Sequence, residues 1–309
     1  MTLSIIILSL LTSLSLAADP AIQIVQGQDK LEITIDGKPF TTYHFVPTSD
    51  DPEWHRPYFF PVLSADGVEL TADRDRETMG QEKREHPWHR SVWIGHGDIN
   101  GIDHWTHPRS GKKLQRHVQF SRIDKDSFVE ELAWEGTEPN KPVLTELRTV
   151  RFVAYDDGAR GIDVTSQFTA TSGDAVFKVK PLNVSGVEAG WLAARVSGQI
   201  SASKESQITS SAGAAGEKEA REKPANWCDY SGPIGGKVYG VAEFDSPGNP
   251  GNPAPFHVRE FGLLTQIGVH DWTLKSGESQ SIRHMLLFHS GDAKSAKLDE
   301  RFAEFAKAK

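Results

Sequence analysis

Half of the histidines in this chain fall in one short stretch, and this feature of the sequence points most strongly to chemistry. Six of the twelve lie between positions 86 and 117, and four of the eight tryptophans lie in that stretch or before it. Imidazole titrates closer to neutral pH than any other side chain, so a histidine cluster suits general acid–base catalysis. The alternative is that several of these histidines only hydrogen-bond a long loop into place. The cluster consists of His86, His89, His96, His104, His107 and His117, with Trp54, Trp88, Trp93 and Trp105.

The residues around the first histidines predict a loop that leads into a short strand. Pro87 follows His86 directly and excludes a long helix there, which rules out a helical zinc motif of the His-Glu-x-x-His type. We expect a strand over 91–94, followed by glycines that allow the backbone to turn sharply. This turn would bring His96 and Asp98 to the rim of a loop-lined cleft.

Two kinds of chemistry fit these residues. For acid–base catalysis, we predict His89 or His96 as the general base or acid, with Asp98 or Glu188 as its partner or as a second carboxylate. Alternatively, His86, His89 and His96 could bind a divalent metal ion together with Asp98, although their spacing is not a recognised ligand pattern. A divalent metal ion is the only cofactor that the sequence suggests.

Aromatic side chains interleaved with polar ones suggest a sugar as the ligand. The face of a pyranose ring stacks on indole, while polar side chains bind its hydroxyl groups, because an unpaired buried hydroxyl is costly. We predict Trp93 and Trp105 as the stacking surface, and Arg90 and Arg259 as groups that hold substrate oxygens or a carboxylate. Asn100 would bind a further hydroxyl group. Each tryptophan taken alone could equally be a core residue of a β-sandwich.

Several charged residues occupy positions where the alternation of a strand places apolar ones. Glu146 and Arg148 share a face with apolar neighbours in one such strand, Arg195 lies near the end of another, and His257 and Arg259 share a face of a third. Such a charge belongs either to an internal ion pair or to a site on the concave face of a sheet. The sequence leaves both interpretations open.

Strand signals dominate most of the chain. Apolar and polar residues alternate over 31–35, and Asp36-Gly37 closes that run as a turn. Ten or so strands separated by turns predict an all-β fold, a large antiparallel β-sandwich or barrel. We expect one short C-terminal helix over 293–308, because its apolar residues recur at helical spacing. The other strand-like runs are Val118–Ile123, Phe128–Trp134, Val143–Tyr155, Gly161–Ala170, Val176–Val179, Gly186–Val196, Lys237–Phe244, His257–Gln266 and Ser281–His289.

The composition is that of an ordinary globular protein, with 38% hydrophobic and 25% charged residues. A net charge of −8 makes the chain a poor ligand for nucleic acid or an anionic membrane, so neither is expected as a partner. Two long segments, 47–108 and 204–233, resist strand assignment, and loops this long are usually functional or disordered. Since no change in composition marks a boundary, we expect a single domain over 18–309.

The first seventeen residues have the features of an export signal. Leu3 to Leu16 is an apolar run shorter than the roughly 20 residues of a membrane-spanning helix, and small residues stand where a signal peptidase cleaves. We therefore predict a signal peptide over 1–17 and an exported protein, periplasmic or extracellular. The single cysteine, Cys228, cannot form an intrachain disulfide, so the core alone must stabilise the fold.

Five motifs then carry a family resemblance. They are Arg56-Pro57-Tyr58, His86-Pro87-Trp88-His89-Arg90-Ser91, His96-Gly97-Asp98-Ile99-Asn100-Gly101 with Trp105, Trp227-Cys228-Asp229-Tyr230-Ser231-Gly232, and Phe256-His257-Val258-Arg259-Glu260-Phe261-Gly262. Their sequence and order resemble the PmoA-family proteins, domains of unknown function often labelled methane oxygenase PmoA. Many members have two adjacent histidines where this chain has Trp88-His89, so only His86 and His89 carry over there.

The resemblance implies a secreted bacterial protein, similar to those found near sugar dehydrogenases and glycan-degrading proteins. It also implies a fold related in general form to the galactose-mutarotase-like supersandwich.

We therefore predict a secreted carbohydrate-active enzyme that breaks a glycosidic bond of an oligosaccharide or glycoside, as a glycoside hydrolase or, by elimination, as a lyase. Elimination from a uronic acid or a 3-keto sugar would need a base at the acidic C–H and an arginine or metal that stabilises the enolate. The alternatives are a non-catalytic glycan-binding module and a sugar epimerase or mutarotase. The predicted substrate-binding residues are Arg56, Tyr58, Arg90, Trp93, Asn100, Trp105, Arg195, Trp227, His257 and Arg259.

Overall fold

Two large antiparallel sheets packed face to face make up most of the computed structural model. The predicted fold class, an all-β antiparallel sandwich with a short C-terminal helix, is confirmed. The structure describes residues 20–46, 56–73, 86, 88–106, 114–138, 141–179, 190–268 and 270–308.

The first sheet has nine strands and carries most of the residues of the candidate site described below. Its central strands are short and come from distant parts of the chain, so the sheet brings together segments far apart in sequence. In spatial order the strands are β1 (Ile22–Gln26), β2 (Lys30–Ile35), β3 (Lys38–His44), β4 (Tyr58–Val62), β5 (Val92–Ile94), β11 (Gly190–Arg195), β17 (Leu263–Ile267), β16 (Pro255–Arg259) and β13 (Lys223–Pro224).

The second sheet has eight longer strands, which are mostly joined by hairpins. In spatial order they are β12 (Gln207–Ser210), β14 (Trp227–Ile234), β15 (Lys237–Asp245), β19 (Ser279–Ser290), β9 (Arg160–Ala170), β8 (Leu144–Ala154), β7 (Ser127–Trp134) and β6 (Gln115–Ile123). A separate two-stranded sheet pairs β10 (Ala175–Phe177) with β18 (Trp272–Leu274). The helices are α1 (Gly198–Ser201), α2 (Glu217–Ala220) and α3 (Leu298–Lys307).

Period-two patterning explains the strands that the sequence predicted. Leu31, Ile33 and Ile35 of β2 are buried between the sheets, whereas the residues between them are exposed or half-buried. Asp36 and Gly37 both have positive φ angles, 51° and 71°, which suits the tight turn between β2 and β3. Full burial of each large apolar side chain stabilises the fold by about 1.5–3 kcal/mol.

A buried ion pair lies between the two sheets. Arg148 on β8 donates to Glu146 at 2.8 Å, and Glu146 also accepts from the indole of Trp134 at 2.7 Å. These two charges therefore form an internal pair and not a concave binding site. The same arginine bonds Gln115, whose amide donates to the carbonyl oxygen of Ile94 at 2.8 Å. This chain of bonds ties β5 of the first sheet to the second sheet.

Three sequence-based expectations about strands were wrong. The segment 47–108 contains β4, a strand that its sequence did not predict. The run 257–266 is not one strand but a hairpin of β16 and β17, with Gly262 at the turn at a φ of 97°. The segment 204–233 is not a loop, because it contains β12, α2, β13 and most of β14. Its small and polar residues hid the alternation, since strand-forming residues there are separated by Ser, Gly and Ala.

The C-terminal helix α3 lies over the outer face of the eight-stranded sheet, as the sequence indicated. The rings of Phe302 and Phe305 pack on Phe244 of β15 with centroids 5.8 and 5.9 Å away. The helix begins at Leu298, five residues later than expected. Within the described ranges, no helix has the length and apolar character needed to cross a membrane.

Candidate active site

The candidate site lies on the face of the nine-stranded sheet that points away from the inter-sheet core. Val92, Ile94 and Leu192 face the core, so the residues between them must face outward. The strand register then places Trp93 of β5, Ala193 of β11, Thr265 of β17 and His257 of β16 in one row. This row is the floor on which the site is built.

Aromatic rings pack over this floor around His89. The imidazole of His89 is stacked between that of His86, with a centroid distance of 4.9 Å and an interplanar angle of 7°, and the indole of Trp93 at 5.0 Å and 23°. The ring of Trp105 meets His89 edge-on at 6.3 Å. We call the following set the aromatic cluster: His86, Trp88, His89, Trp93, Trp105 and Phe261.

Two glycines make room for Trp105. A β-carbon at Gly190, the first residue of β11, would overlap the six-membered ring of Trp105. A β-carbon at Gly95 would lie 3.2 Å from the same ring and 2.9 Å from the carbonyl oxygen of His104. The indole therefore lies directly on the backbone of β11 and just beyond β5, and any side chain at Gly190 would displace it.

Four polar atoms of His89, Trp93 and Trp105 are buried without a hydrogen-bond partner in the described part of the chain. They are both ring nitrogens of His89 and the indole nitrogens of Trp93 and Trp105. These three side chains are each at most 2% exposed. Buried polar groups are nearly always hydrogen-bonded, and an unmet one costs about 1–3 kcal/mol. The cluster therefore has hydrogen-bonding capacity that a ligand can use.

Two arginines bring positive charge to the cluster. Arg56 is 4% exposed and donates to the carbonyl oxygens of His104 at 2.9 Å and Trp88 at 2.7 Å. Burial lowers the pKa of Arg56 to about 9. The guanidinium of Arg195 lies 4.7 Å from the ring centre of Phe261.

These surroundings keep His89 uncharged. Burial is the main cause that lowers the pKa of His89 well below its ordinary value, and the nearby charges of Arg195, His86, Arg56 and His257 lower it further. The imidazole is therefore neutral at neutral pH, with one nitrogen able to accept a proton and the other carrying one.

The sequence suggested that His96 and Asp98 lie at the rim of a cleft, but the structure places both elsewhere. His96 is fully buried and stacks on Trp191 at 4.7 Å, and burial lowers the pKa of its imidazole to about 4. Asp98 accepts from the backbone N–H of Gly101 at 2.8 Å within a tight turn. Both residues therefore stabilise the loop that follows β5. The glycines do allow this loop to turn, but it turns inward, so that His96 packs against Trp191.

Two predicted substrate-binding residues have structural partners instead. Arg90 pairs with Asp73 through contacts of 2.6 and 3.0 Å, and its guanidinium lies 3.9 Å from the ring centre of Tyr58. Tyr58 lies beside Trp93 in the sheet, and its ring stacks on His44.

Asn100 and Trp227 lie elsewhere in the fold. The side chain of Asn100 binds the backbone of Asp174 at 3.0 Å and of Val176 at 2.8 Å, which ties its turn to β10. Trp227 is in the second sheet, and its indole donates to Asp299 of α3 at 2.9 Å. The sequence could not show this, because the position of a motif along the chain does not reveal which residues it contacts in the folded protein.

The other predicted residues divide between the cluster and its edge. Arg56, Trp93, Trp105, Arg195 and His257 contribute to the site as described above. Arg259 stands at the edge, where it donates to Glu217 at 3.0 Å and lies 5.1 Å from the ring centre of Phe261. Glu188 and His107 lie outside the described residues.

The structure does not assemble the predicted metal ligands. His86 and His89 are stacked in nearly parallel planes, so their in-plane lone pairs do not converge on one ion, and His96 packs separately against Trp191. Among the described residues, no group of three or more His, Cys, Asp or Glu side chains is arranged to hold a metal ion.

Sequence reasoning missed Trp88, Phe261 and Gly190 as parts of the site. Trp88 was noted only in the stretch rich in histidine and tryptophan and in one motif, and Phe261 only in another motif, so neither was predicted to bind the substrate. Gly190 gave no signal, because its importance comes from the approach of Trp105, which is 85 positions away in the chain.

Comparison with known proteins identifies the family. A family model described as a family of unknown function, DUF6807, matches residues 30–303. Among curated proteins, none matches this chain.

Several solved structures align with most of the chain at low identity. A GalM/aldose epimerase homologue from C. elegans is 8% identical, with 88% of this chain and all of that chain covered and a TM-score of 0.37. A galactose mutarotase-like protein from Lactobacillus casei is 9% identical, with 87% and 100% covered and a TM-score of 0.39. A polysaccharide lyase is 11% identical, with 89% of this chain but 33% of that chain covered and a TM-score of 0.36. At these TM-scores the alignments carry no argument about function.

Proposed function

The chain belongs to DUF6807, a family of unknown function, and we propose that it is a carbohydrate-active enzyme that cleaves a glycosidic bond at the aromatic cluster. The observation that carries this proposal is His89, a buried neutral imidazole whose two nitrogens have no partner among the described side chains and backbone groups. The ring nitrogens of His96 are also buried without a partner in the described part of the chain, but His96 packs on Trp191 in the inter-sheet core, whereas only His89 has guanidinium groups beside it. An unengaged imidazole beside cations and aromatic rings suits proton transfer to or from a bound molecule.

The aromatic rings support a sugar as the bound molecule. His86, Trp88 and Phe261 are partly exposed, whereas His89, Trp93 and Trp105 lie beneath them. The C–H faces of a pyranose pack well on such rings, and the polar atoms of the cluster can bind its oxygens.

Among the described residues, the site contains an imidazole base but no pair of free carboxylates. Asp73 pairs with Arg90, and Asp103 accepts from the backbone of Trp105 and Thr106. Hydrolysis by two carboxylates needs both of them at the bond that breaks. This composition favours elimination, in which one base removes a proton from carbon.

In the proposed elimination, His89 removes the proton next to a carbonyl or carboxylate carbon of the sugar. The electrons of the broken C–H bond form a C=C bond, and the C–O bond of the leaving group breaks on the adjacent carbon. The leaving oxygen takes up the proton that His89 removed, directly or through water, which returns His89 to its neutral form and balances the step. The guanidinium groups of Arg56 and Arg195 would stabilise the enolate that develops.

The test is a panel of oligosaccharides, including uronic-acid and 3-keto forms, incubated with the full chain and analysed by mass spectrometry. Elimination gives fragments whose masses sum to that of the substrate, and hydrolysis adds 18 Da. His89→Gln should lower the rate at least about 100-fold, the low end for acid–base catalysis. The control is His270→Gln, which alters an exposed histidine outside the site. Unchanged masses across the panel, or full activity of His89→Gln, would contradict the proposal.

We also propose that the enzyme acts outside the cytoplasm. This proposal depends on the export signal predicted over 1–17, which lies outside the described residues. N-terminal sequencing of the protein secreted by its native host would show a start at or next to Ala18, and an intact Met1 in a cytoplasmic fraction would contradict it.

A further inference from the structure

We infer that the sugar bound at the aromatic cluster carries a carboxylate, so that the substrate class is acidic sugars and not their neutral counterparts. This inference rests on the proposed function for the site, but it concerns recognition and not turnover.

Among the unpartnered buried atoms of His89, Trp93 and Trp105, hydrogen-bond donors outnumber acceptors. The indole N–H groups of Trp93 and Trp105 can only donate, and a neutral His89 offers one donor and one acceptor. These atoms are buried and have no partner within the described ranges. A sugar hydroxyl can accept these bonds, but each hydroxyl also brings an O–H donor that needs an acceptor of its own, and these side chains offer only one. A carboxylate only accepts, and its two oxygens can take several such bonds.

The charge of the cluster points the same way. Arg56 is a buried cation whose observed bonds go to two backbone carbonyl oxygens, and no ion pair involving it occurs among the described residues. A buried charge without a counter-charge is costly. The carboxylate of Asp103 is near, but it accepts from two backbone N–H groups and from the hydroxyl of Thr106. An anionic ligand would supply the missing negative charge.

Burial strengthens this preference. Trp93 and Trp105 are each 1% exposed, and His89 is 2% exposed. Attraction between a carboxylate and a guanidinium is several times larger away from bulk water than at an exposed surface. Neutral hydroxyls gain much less from the same surroundings, so the discrimination should be large.

The test compares matched pairs of ligands by isothermal titration calorimetry with the full chain. Each pair is the methyl glycoside of a uronic acid, glucuronic, galacturonic or mannuronic, and the methyl glycoside of its neutral parent. For at least one pair we expect the acidic member to bind at least about tenfold more tightly, since one hydrogen bond to a charged group is worth that much. If no pair shows this preference, including the case in which nothing binds, the inference is wrong.

Indole variants test which atoms are responsible. Trp93→Phe and Trp105→Phe keep an aromatic ring but remove the N–H donor, and each should reduce the preference for the acidic member about tenfold. Trp272→Phe is the matched control, because Trp272 stacks on Phe177 outside the cluster. Circular dichroism identifies any variant that fails to fold, and the ligand comparison on the unaltered chain then still decides.

These outcomes separate the inference from the proposed function. If an acidic sugar binds but no oligosaccharide of the panel is cleaved, the carboxylate site is supported and the proposed enzyme activity is rejected. Cleavage of neutral oligosaccharides without any preference for acidic ligands would support the enzyme and reject the carboxylate.

Discussion

At the scale of single residues, His89 owes its character to its neighbours and not to its own motif. The sequence singled out His89 and several of the rings that the structure places around it. It could not separate His89 from His96, because both stand in the same loop with similar neighbours along the chain. The difference is three-dimensional: His96 packs against Trp191 and Phe177, whereas His89 faces Trp93 and the guanidinium groups.

The pH dependence of activity tests how these neighbours act on His89. Because burial and nearby cations lower the pKa of His89 well below 6.5, a neutral base persists into mildly acidic solution. The acid limb of kcat/KM should therefore lie well below pH 6.5. Arg195→Gln removes one of the cations, so the pKa of His89 should rise and the acid limb should move to higher pH. A limb that stays at the same pH in this variant would contradict the account.

At the scale of elements, the site depends on strands that meet across the sheet. The long, alternating strands of the eight-stranded sheet were predicted well, because each buries one face. The short central strands β5 and β11 lie between irregular segments, and the sequence predicts a single strand where β16 and β17 form a hairpin. Pairing between β5, β11 and β17 is decided by long-range contacts, which a local pattern does not contain.

Gly190 is the point where β11 meets the aromatic cluster. Gly190→Ala should destabilise the protein by about 1–3 kcal/mol, as overpacking does, and should reduce activity because Trp105 must move. Gly248→Ala is the control, since its added β-carbon would meet only one atom, at 3.8 Å. Urea unfolding, followed by tryptophan fluorescence, measures the stability of both variants, and the oligosaccharide assay measures their activity. Equal stability of the two variants would show that Trp105 is not held against β11.

At the scale of the whole molecule, histidine is a structural residue as well as a candidate catalyst. The sequence grouped six histidines as one site, but the fold distributes them. His104 binds the carbonyl oxygen of Glu135 at 3.0 Å, and His117 pairs with Glu130 at 2.7 Å, so neither belongs to the aromatic cluster. One-dimensional clustering overestimated the site because a loop that folds inward needs buried polar groups of its own.

The buried histidines predict how stability depends on pH. Burial lowers the pKa of His96, His104 and His284 to about 4 each, and that of His89 also falls. The unfolded chain takes up these protons from about pH 6.5 downward while the folded chain does not, so stability is lost as pH falls from 6.5 to 4. His96, His104 and His284 should each lower the free energy of unfolding by about 3 kcal/mol at pH 4 relative to neutral pH.

One group opposes this trend. Burial raises the pKa of Glu243, which favours the folded state as pH falls, but it is one group against five histidines, since burial also lowers the pKa of His44. Urea midpoints measured between pH 7 and pH 4.5 should therefore decline steadily. A midpoint that is constant or rises over this range would contradict the burial of these histidines in neutral form.

The central claim is that the neutral imidazole of His89 breaks a glycosidic bond. The most direct measurement compares the unaltered chain with His89→Gln on uronic-acid oligosaccharides, with product masses recorded over time. The account predicts fragments whose masses sum to that of the substrate, formed at least about 100-fold more slowly by the variant. Equal rates for the two proteins would contradict it.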